Sequence, residues 1–286
     1  MKILGYYGRA LRYNFPNILK PSVPINIRAA KLLEEFKENG FFKLDQTFVE
    51  TAELIEHDYL NKHLSGELDK ELYKKGLIFD FMSTPAETKR YLELGIEASI
   101  YISVSDSRFE SLLCNEDLCS ILYNYFKRQP YYRGPIHVKQ DNFEDKIKLN
   151  IASKYHLDSC MHQLTFILFL CDVDEDVTHT LYAKGSHKKY WFKQDMDRYK
   201  FKDSWVEENW PIIPIFGKKG DLMIFDAGNG FHKVTERLHS TRKLAWMNIT
   251  CGSDLKPGIL KDKLSDVKYL EGKPAHIKKM FTKIFA

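Results

Sequence analysis

Between Pro130 and Thr250 short β-like runs recur between turns, and this texture limits the fold more than any other feature. The runs cover residues 136–140, 146–155, 164–171, 178–183, 221–225, 231–234 and 242–250. Seven short strands at irregular spacing predict a sandwich or barrel. Residues 188–214 break the pattern. They are rich in Trp, Lys and Asp, and read as an insert over one mouth of the barrel.

The part before Pro130 reads differently. Pro16, Pro21 and Pro24 punctuate an irregular arm. Ile27, Ala30, Leu32, Leu33 and Phe36 then fall at helical spacing within residues 25–39, and Gly40 stops the run. The sequence GFFKLD reads as a short strand. Further helices are expected over 48–64, over 88–97, and from Asn115 to about Lys127. Asn115 is an N-cap there, with Glu116 and Asp117 in the first turn. In the tail 275–286, Ile277, Met280, Phe281, Ile284 and Phe285 share one helical face, opposite Lys278, Lys279 and Lys283. Such a helix packs on its own domain more readily than on a membrane surface. With no repeat and no Gly/Ser or Pro-rich linker, one domain is expected over 1–286. Its parts are a mostly helical segment 1–130, a barrel core 131–251 carrying the insert, and a tail 252–286. The class is mainly β with N-terminal helices (α+β).

Composition removes several function classes. The chain is 44% hydrophobic and 29% charged, enough apolar matter for a sizeable core and against disorder. A net charge of +4 without a concentrated patch argues against a nucleic-acid partner. The longest apolar run, 166–171, cannot span a bilayer, and the N-terminus lacks a signal-peptide pattern. Five cysteines, an odd number with no Cys-x-x-Cys, read as free thiols in a reducing compartment, so a cytoplasmic protein without membrane insertion is expected.

The chemistry centres on KYHLDS. His156 and Asp158, at i and i+2 on a strand, point to one face and reach one metal ion. Alone, His-x-Asp is a weak signal. Downstream lie an apolar strand ending in CDVDED, a Gly-Ser-His turn in KGSHKKYW, a strand GDLMIFD, then His232 and, ten residues on, Arg242. Two histidines and one carboxylate leave three coordination positions open, the arrangement of non-haem Fe(II) oxygenases. An arginine suits bidentate pairing with the far carboxylate of a 2-oxo acid.

The run from His156 to Arg242, with the opening helix and GFFKLD, resembles the phytanoyl-CoA dioxygenase family of Fe(II)/2-oxoglutarate oxygenases. That resemblance implies a double-stranded β-helix, the jelly-roll or cupin-like barrel. It implies His156, Asp158 and His232 as iron ligands, Arg242 as the 2-oxoglutarate clamp, and Fe(II), 2-oxoglutarate and O₂ as cofactor and co-substrates. The chain departs from the family pattern at VTHT after the acidic turn, at Lys184 before Gly-Ser-His, and at Lys233 and Val234 after the distal histidine. Where relatives carry Ser, Val234 offers no hydroxyl. Thr165 on the central strand, or Thr235, would then supply it to the co-substrate, and Lys148 is the next cation after Arg242.

The implied activity is hydroxylation of an aliphatic C–H of a small molecule, with release of succinate and CO₂. Relatives that halogenate replace the carboxylate ligand with a small residue, so Asp158 favours oxidation without halogen transfer. Two rivals stay open: a barrel that binds metal or a small molecule without turnover, and a cupin-like metalloenzyme that does not use 2-oxoglutarate. His187 reads as a loop brace. His162, His179 and His239 carry no ligand spacing. The tyrosines of QPYYRG line a substrate mouth or form a plain turn, and Lys188, Lys189 and Lys193 mildly favour an acidic substrate.

Overall fold

Helix α1 (Ile27–Asn39) begins where the Asn26 side chain accepts the Ala29 amide and ends at Gly40, whose φ of 86° is left-handed. A Cβ at Gly40 would also stand 2.4 Å from the Tyr182 hydroxyl and 2.5 Å from His187 Nδ1, so close approach demands glycine as well. Strand β1 (Phe41–Leu44) follows at once. The computed structural model describes residues 23–45, 47–65, 67, 78–80, 98–104, 106–127, 130–143, 153–158, 163–188, 201–235, 237, 240–250 and 271–282. The helix expected over 88–97, most of the run 146–155, residues 189–200 of the insert, and His162, His239 and Lys148 lie outside them.

Helix α2 (Val49–Ile55) continues through a π-helical turn, Glu56–Asn61, to Lys62–Leu64, matching the expected 48–64 helix. Then come β2 (Ile78–Asp80), β3 (Ala98–Val104), α3 (Ser107–Leu113) and α4 (Glu116–Phe126), the last capped by Asn115 as expected. The remaining elements are β4 (Tyr131–Phe143), β5 (Gln163–Phe169), β6 (Thr180–Ala183), α5 (Asp203–Asn209), β7 (Ile212–Ile215), β8 (Leu222–Asp226), β9 (His232–Val234), β10 (Ser240–Thr250) and α6 (Ala275–Thr282).

The strands form two sheets, one ordered β1-β8-β5-β10-β4-β3-β2 and one ordered β7-β6-β9, with every described pairing antiparallel. This is the antiparallel two-sheet architecture expected from the strand texture, and it is consistent with the jelly roll that the family resemblance implies. Alternation sorts each strand into two faces. On β5, Leu164, Phe166 and Leu168 join the core shared with α1, α2 and α4, while Ile167 and Phe169 face the second sheet. On β10, Ala245, Met247 and Ile249 face the helices, and Leu244 and Trp246 face inward. Tyr182 and Ile215 close the inner layer from the small sheet. A third cluster, with Tyr155, Leu157, Ala183, Val206 and Phe231, sits outside the small sheet under α5.

Three expectations are corrected. Beside the expected strand β1, the segment 1–130 holds two strands that were not expected, β2 and β3, so that it supplies three of the seven strands of the large sheet. The apolar, partly β-branched sequence of β3 buries Ile102 and Val104 and is strand-like in retrospect. The insert does not run to residue 214 or roof the barrel mouth in its described part. Its end, β7, is an edge strand of the small sheet, where Pro214 is tolerated because the free edge needs no amide, and α5 packs on that sheet's outer face. The QPYYRG segment is no turn: it opens β4, and Tyr132 points into the helix-side core, donating to the Leu113 carbonyl. In α6, Ile277 and Met280 are fully buried, in keeping with packing on the domain. No helix among the described residues is long and apolar enough to cross a membrane.

Candidate metal centre

His156 sits on an isolated bridge and not within a regular strand. Its amide donates to the His232 carbonyl at 3.0 Å, and the His232 amide returns to the His156 carbonyl at 3.2 Å. Two residues on, the Asp158 amide donates to Ala227 O at 2.8 Å. The backbone of the His-x-Asp segment is thus fastened to the turn between β8 and β9. That turn is itself constrained. Asp226 accepts the Asn229 amide at 2.9 Å and the Tyr125 hydroxyl at 2.7 Å. A Cβ at Gly230 would collide with the Tyr182 hydroxyl at 1.8 Å.

These constraints bring His156, Asp158 and His232 together, with one ligand atom from each lying within 4.8 Å of the others. Asp158 Oδ1 stands 4.0 Å from His156 Nε2 and 3.7 Å from His232 Nε2. Each histidine has its other nitrogen committed. His156 Nδ1 donates to Lys154 O at 2.8 Å and His232 Nδ1 to Gly230 O at 3.0 Å. A carbonyl only accepts, so the proton rests on Nδ1 and the Nε2 lone pair faces the shared space. Burial pushes the His232 imidazole down to about 4, opposed by its contact with Gly230, which keeps it in the neutral, ligating form. Gln163 donates to Asp158 Oδ2 at 2.6 Å, which turns Oδ1 toward the histidines.

Two imidazole nitrogens, one carboxylate oxygen and an outer shell of hydrogen bonds fit a divalent first-row metal such as Fe(II) by donor chemistry. Sequence reading missed Gln163. The only available signal was a polar residue opening an otherwise apolar strand.

Thr165 lies two residues from Gln163 on the inward face of β5, as expected. Its hydroxyl is hydrogen-bonded to Asn248 Oδ1 at 2.9 Å, across the register Asn248↔Thr165. Thr235 is otherwise engaged: its hydroxyl donates to His179 O and accepts the His179 amide. Arg242 is buried on the inward face of β10, and its Nε and Nη2 both reach Asp141 Oδ2, at 3.1 and 2.7 Å. Lys139 Nζ contacts the same oxygen at 2.9 Å. Neither Lys139 nor Asp141 stood out in the sequence, because their meaning depends on which face of β4 points inward. His137, on that face, packs against Trp246 with ring centroids 4.2 Å apart and the rings tilted by 34°.

His187, His179 and Lys188 find structural partners. His187 Nε2 donates to Lys37 O at 3.1 Å, bracing the Gly-Ser-His turn on the end of α1. His179 Nδ1 donates to Val177 O at 2.7 Å. Lys188 pairs with Glu38 at 2.6 Å on the surface.

No family model and no curated protein matches the sequence. Among solved structures, the chain is similar to EctD from S. alaskensis with 2-oxoglutarate and 5-hydroxyectoine. The TM-score is 0.52 at 14% identity, over 83% of this chain and 81% of that one. The same enzyme with bound Fe gives 0.50 at 13% identity, over 81% and 79%. The non-heme alpha ketoglutarate dependent epimerase SnoN from nogalamycin biosynthesis also gives 0.50, at 14% identity over 78% and 81%. At such identities the likeness establishes the jelly-roll fold.

Proposed function

We propose that the protein is an Fe(II)- and 2-oxoglutarate-dependent oxygenase of the phytanoyl-CoA dioxygenase type. On this reading it is a single cytoplasmic domain that oxidises a small molecule and has no nucleic-acid partner. The observation that carries the proposal is the triad itself: two imidazoles with Nδ1 tied to backbone carbonyls, and a carboxylate held by Gln163, all aimed at one point. When bound, iron supplies redox chemistry with O₂ and a Lewis-acidic seat for the oxo acid.

The chain's own residues do the rest. His156 and His232 offer neutral donors, and Asp158 offers an anionic one. Arg242, on the inward face, is the candidate partner for the far carboxylate, and Thr165 with Asn248 lines the way to it. Ile167, Phe169, Met223, Phe225 and Leu244 form an apolar inner wall that keeps water from the reacting centre. Asp158 supports oxidation of an aliphatic C–H without halogen transfer, most simply hydroxylation. SnoN is an epimerase and EctD was crystallised with 5-hydroxyectoine, so this fold serves more than one outcome.

A second reading, a metalloenzyme that does not use 2-oxoglutarate, is favoured by one observation: Asp141 already occupies Nε and Nη2 of Arg242. One experiment separates the two. Anaerobic protein with Fe(II) and 2-oxoglutarate is expected to develop a weak visible charge-transfer band, which forms only when the oxo acid chelates the metal. Bound Fe(II) with no band at saturating 2-oxoglutarate would support the second reading.

A further inference from the structure

Helix α5 reaches the metal triad through one peptide group. The His156 imidazole is aimed by its Nδ1, which donates to Lys154 O at 2.8 Å. That carbonyl and the Tyr155 amide belong to the same planar unit, so whatever holds one end sets the tilt of the other. The Tyr155 amide donates to Asp203 Oδ1 at 3.2 Å. Asp203 is the first residue of α5.

The need for this anchor follows from the strand pattern. His156 exchanges both backbone hydrogen bonds with His232, and amides alternate sides along a strand, so the Tyr155 amide points away from β9. Among the described residues no strand pairs on that side. Tyr155 is fully buried, and a buried amide requires an acceptor. Asp203 stands in for the missing strand. Its other oxygen is held in turn: Lys233 Nζ lies 2.8 Å from Asp203 Oδ2, 3.1 Å from Glu207 Oε1 and 4.3 Å from the centre of the Tyr155 ring. Lys233 directly follows His232, at a place where the chain departs from the family pattern. One ion pair therefore ties the backbones of both histidines to α5, and Val206 seats that helix on Tyr155, Leu157 and Phe231.

We infer that Asp203 is a positioning residue for the metal centre: it fixes the Lys154–Tyr155 peptide and, through it, the His156 imidazole, with Lys233 fixing Asp203. This rests on the metal-binding part of the proposed function and extends it to the insert, whose helix becomes part of the site.

The test separates the hydrogen-bond acceptor from the charge. Asp203→Asn keeps the acceptor and loses the charge; Asp203→Glu keeps the charge and displaces the oxygen by one methylene; Asp203→Ala loses both. Anaerobic competition with a chelator is expected to show Fe(II) affinity about 10-fold or more weaker in the Ala and Glu variants, and within about threefold of wild type in Asn. In the Zn(II)-loaded protein, NMR should show faster solvent exchange of the His156 Nδ1 proton in Ala and Glu, with that of His232 unchanged. If Ala does not fold, the contrast between Asn and Glu carries the test. A role confined to docking α5 by charge would reverse the order, with Glu like wild type and Asn weakened. That result, or equal exchange changes at the two histidines, would overturn the inference and spare the oxygenase reading. A wild type that binds Fe(II) without a band at saturating 2-oxoglutarate, yet shows the expected order, would remove the oxygenase reading and support the inference. A wild type that binds no Fe(II) would overturn both.

Discussion

At the metal triad, each donor takes its orientation from the main chain or from a neutral amide. Lys154 O, Gly230 O and Gln163 hold His156, His232 and Asp158, and the amides of all three residues are fastened across the β8–β9 turn. At the Lys139–Asp141–Arg242 group, the side chains take their orientation from one another. Asp203 aside, the two histidines survive loss of a neighbouring side chain with their geometry nearly intact, because the carbonyls that hold them are set by the fold. The second arrangement does not, because removing the shared carboxylate leaves two buried cations facing each other. The triad is therefore built to hold a ligand-ready geometry before the metal arrives, and the charged group is built to respond to charge.

The sharpest way to break this contrast is Asp141→Asn. Leaving Lys139 and Arg242 without their shared carboxylate should cost about 3 kcal/mol of stability, and Asp141→Asn/Arg242→Met, which removes one of the two cations, should recover part of it. Denaturant midpoints of the three proteins measure this, and equal midpoints for the single and double variants would contradict the coupling.

A smaller loss is expected at the triad. Gln163→Leu frees Asp158 Oδ2 without touching a ligand, so metal affinity should fall by about 10- to 100-fold while stability changes little. Competition with a fluorescent chelator reads it; an unchanged affinity would mean that the carboxylate is oriented by something other than Gln163.

A third prediction uses His137. Burial, with the Lys139 charge in support, lowers its imidazole to about 4 from an ordinary 6.5, so the unfolded chain binds the extra proton first. Stability of the metal-free protein is thus full above about pH 6.5 and falls as the pH drops toward 4, by about 3 kcal/mol from this group. In His137→Phe the slope over that window should flatten, as measured by urea unfolding at stepped pH. The smallest effect belongs to Thr165→Val, which removes one hydrogen bond to Asn248 and should change 2-oxoglutarate affinity less than about tenfold.

The contrast also explains what could be read from the chain without a fold. His156, Asp158 and His232 carry meaning in residue type, order and spacing, and those survive in one dimension. Thr165 and Arg242 were singled out by their places in the family pattern, and both lie on inward faces of their strands. Lys139 and Asp141 occupy a stretch, KQD, that reads like any solvated strand. Only the pairing of β4 with β10 shows that this face is interior and that both side chains meet Arg242. Gln163 was hidden for the same reason, since its partner Asp158 is held in place by the β8–β9 turn. In the second sheet, Pro214 masked β7 because a strand-breaking residue is harmless at an edge, a fact of topology and not of local sequence.

The central claim is that His156, Asp158 and His232 hold one metal ion. Anaerobic equilibrium dialysis against Fe(II), run in parallel on wild type and His156→Ala with folding checked by circular dichroism, tests it directly. The account predicts one Fe(II) per chain in the wild type and loss of that binding in the variant. A folded His156→Ala protein that retains one Fe(II) per chain at wild-type affinity would contradict it.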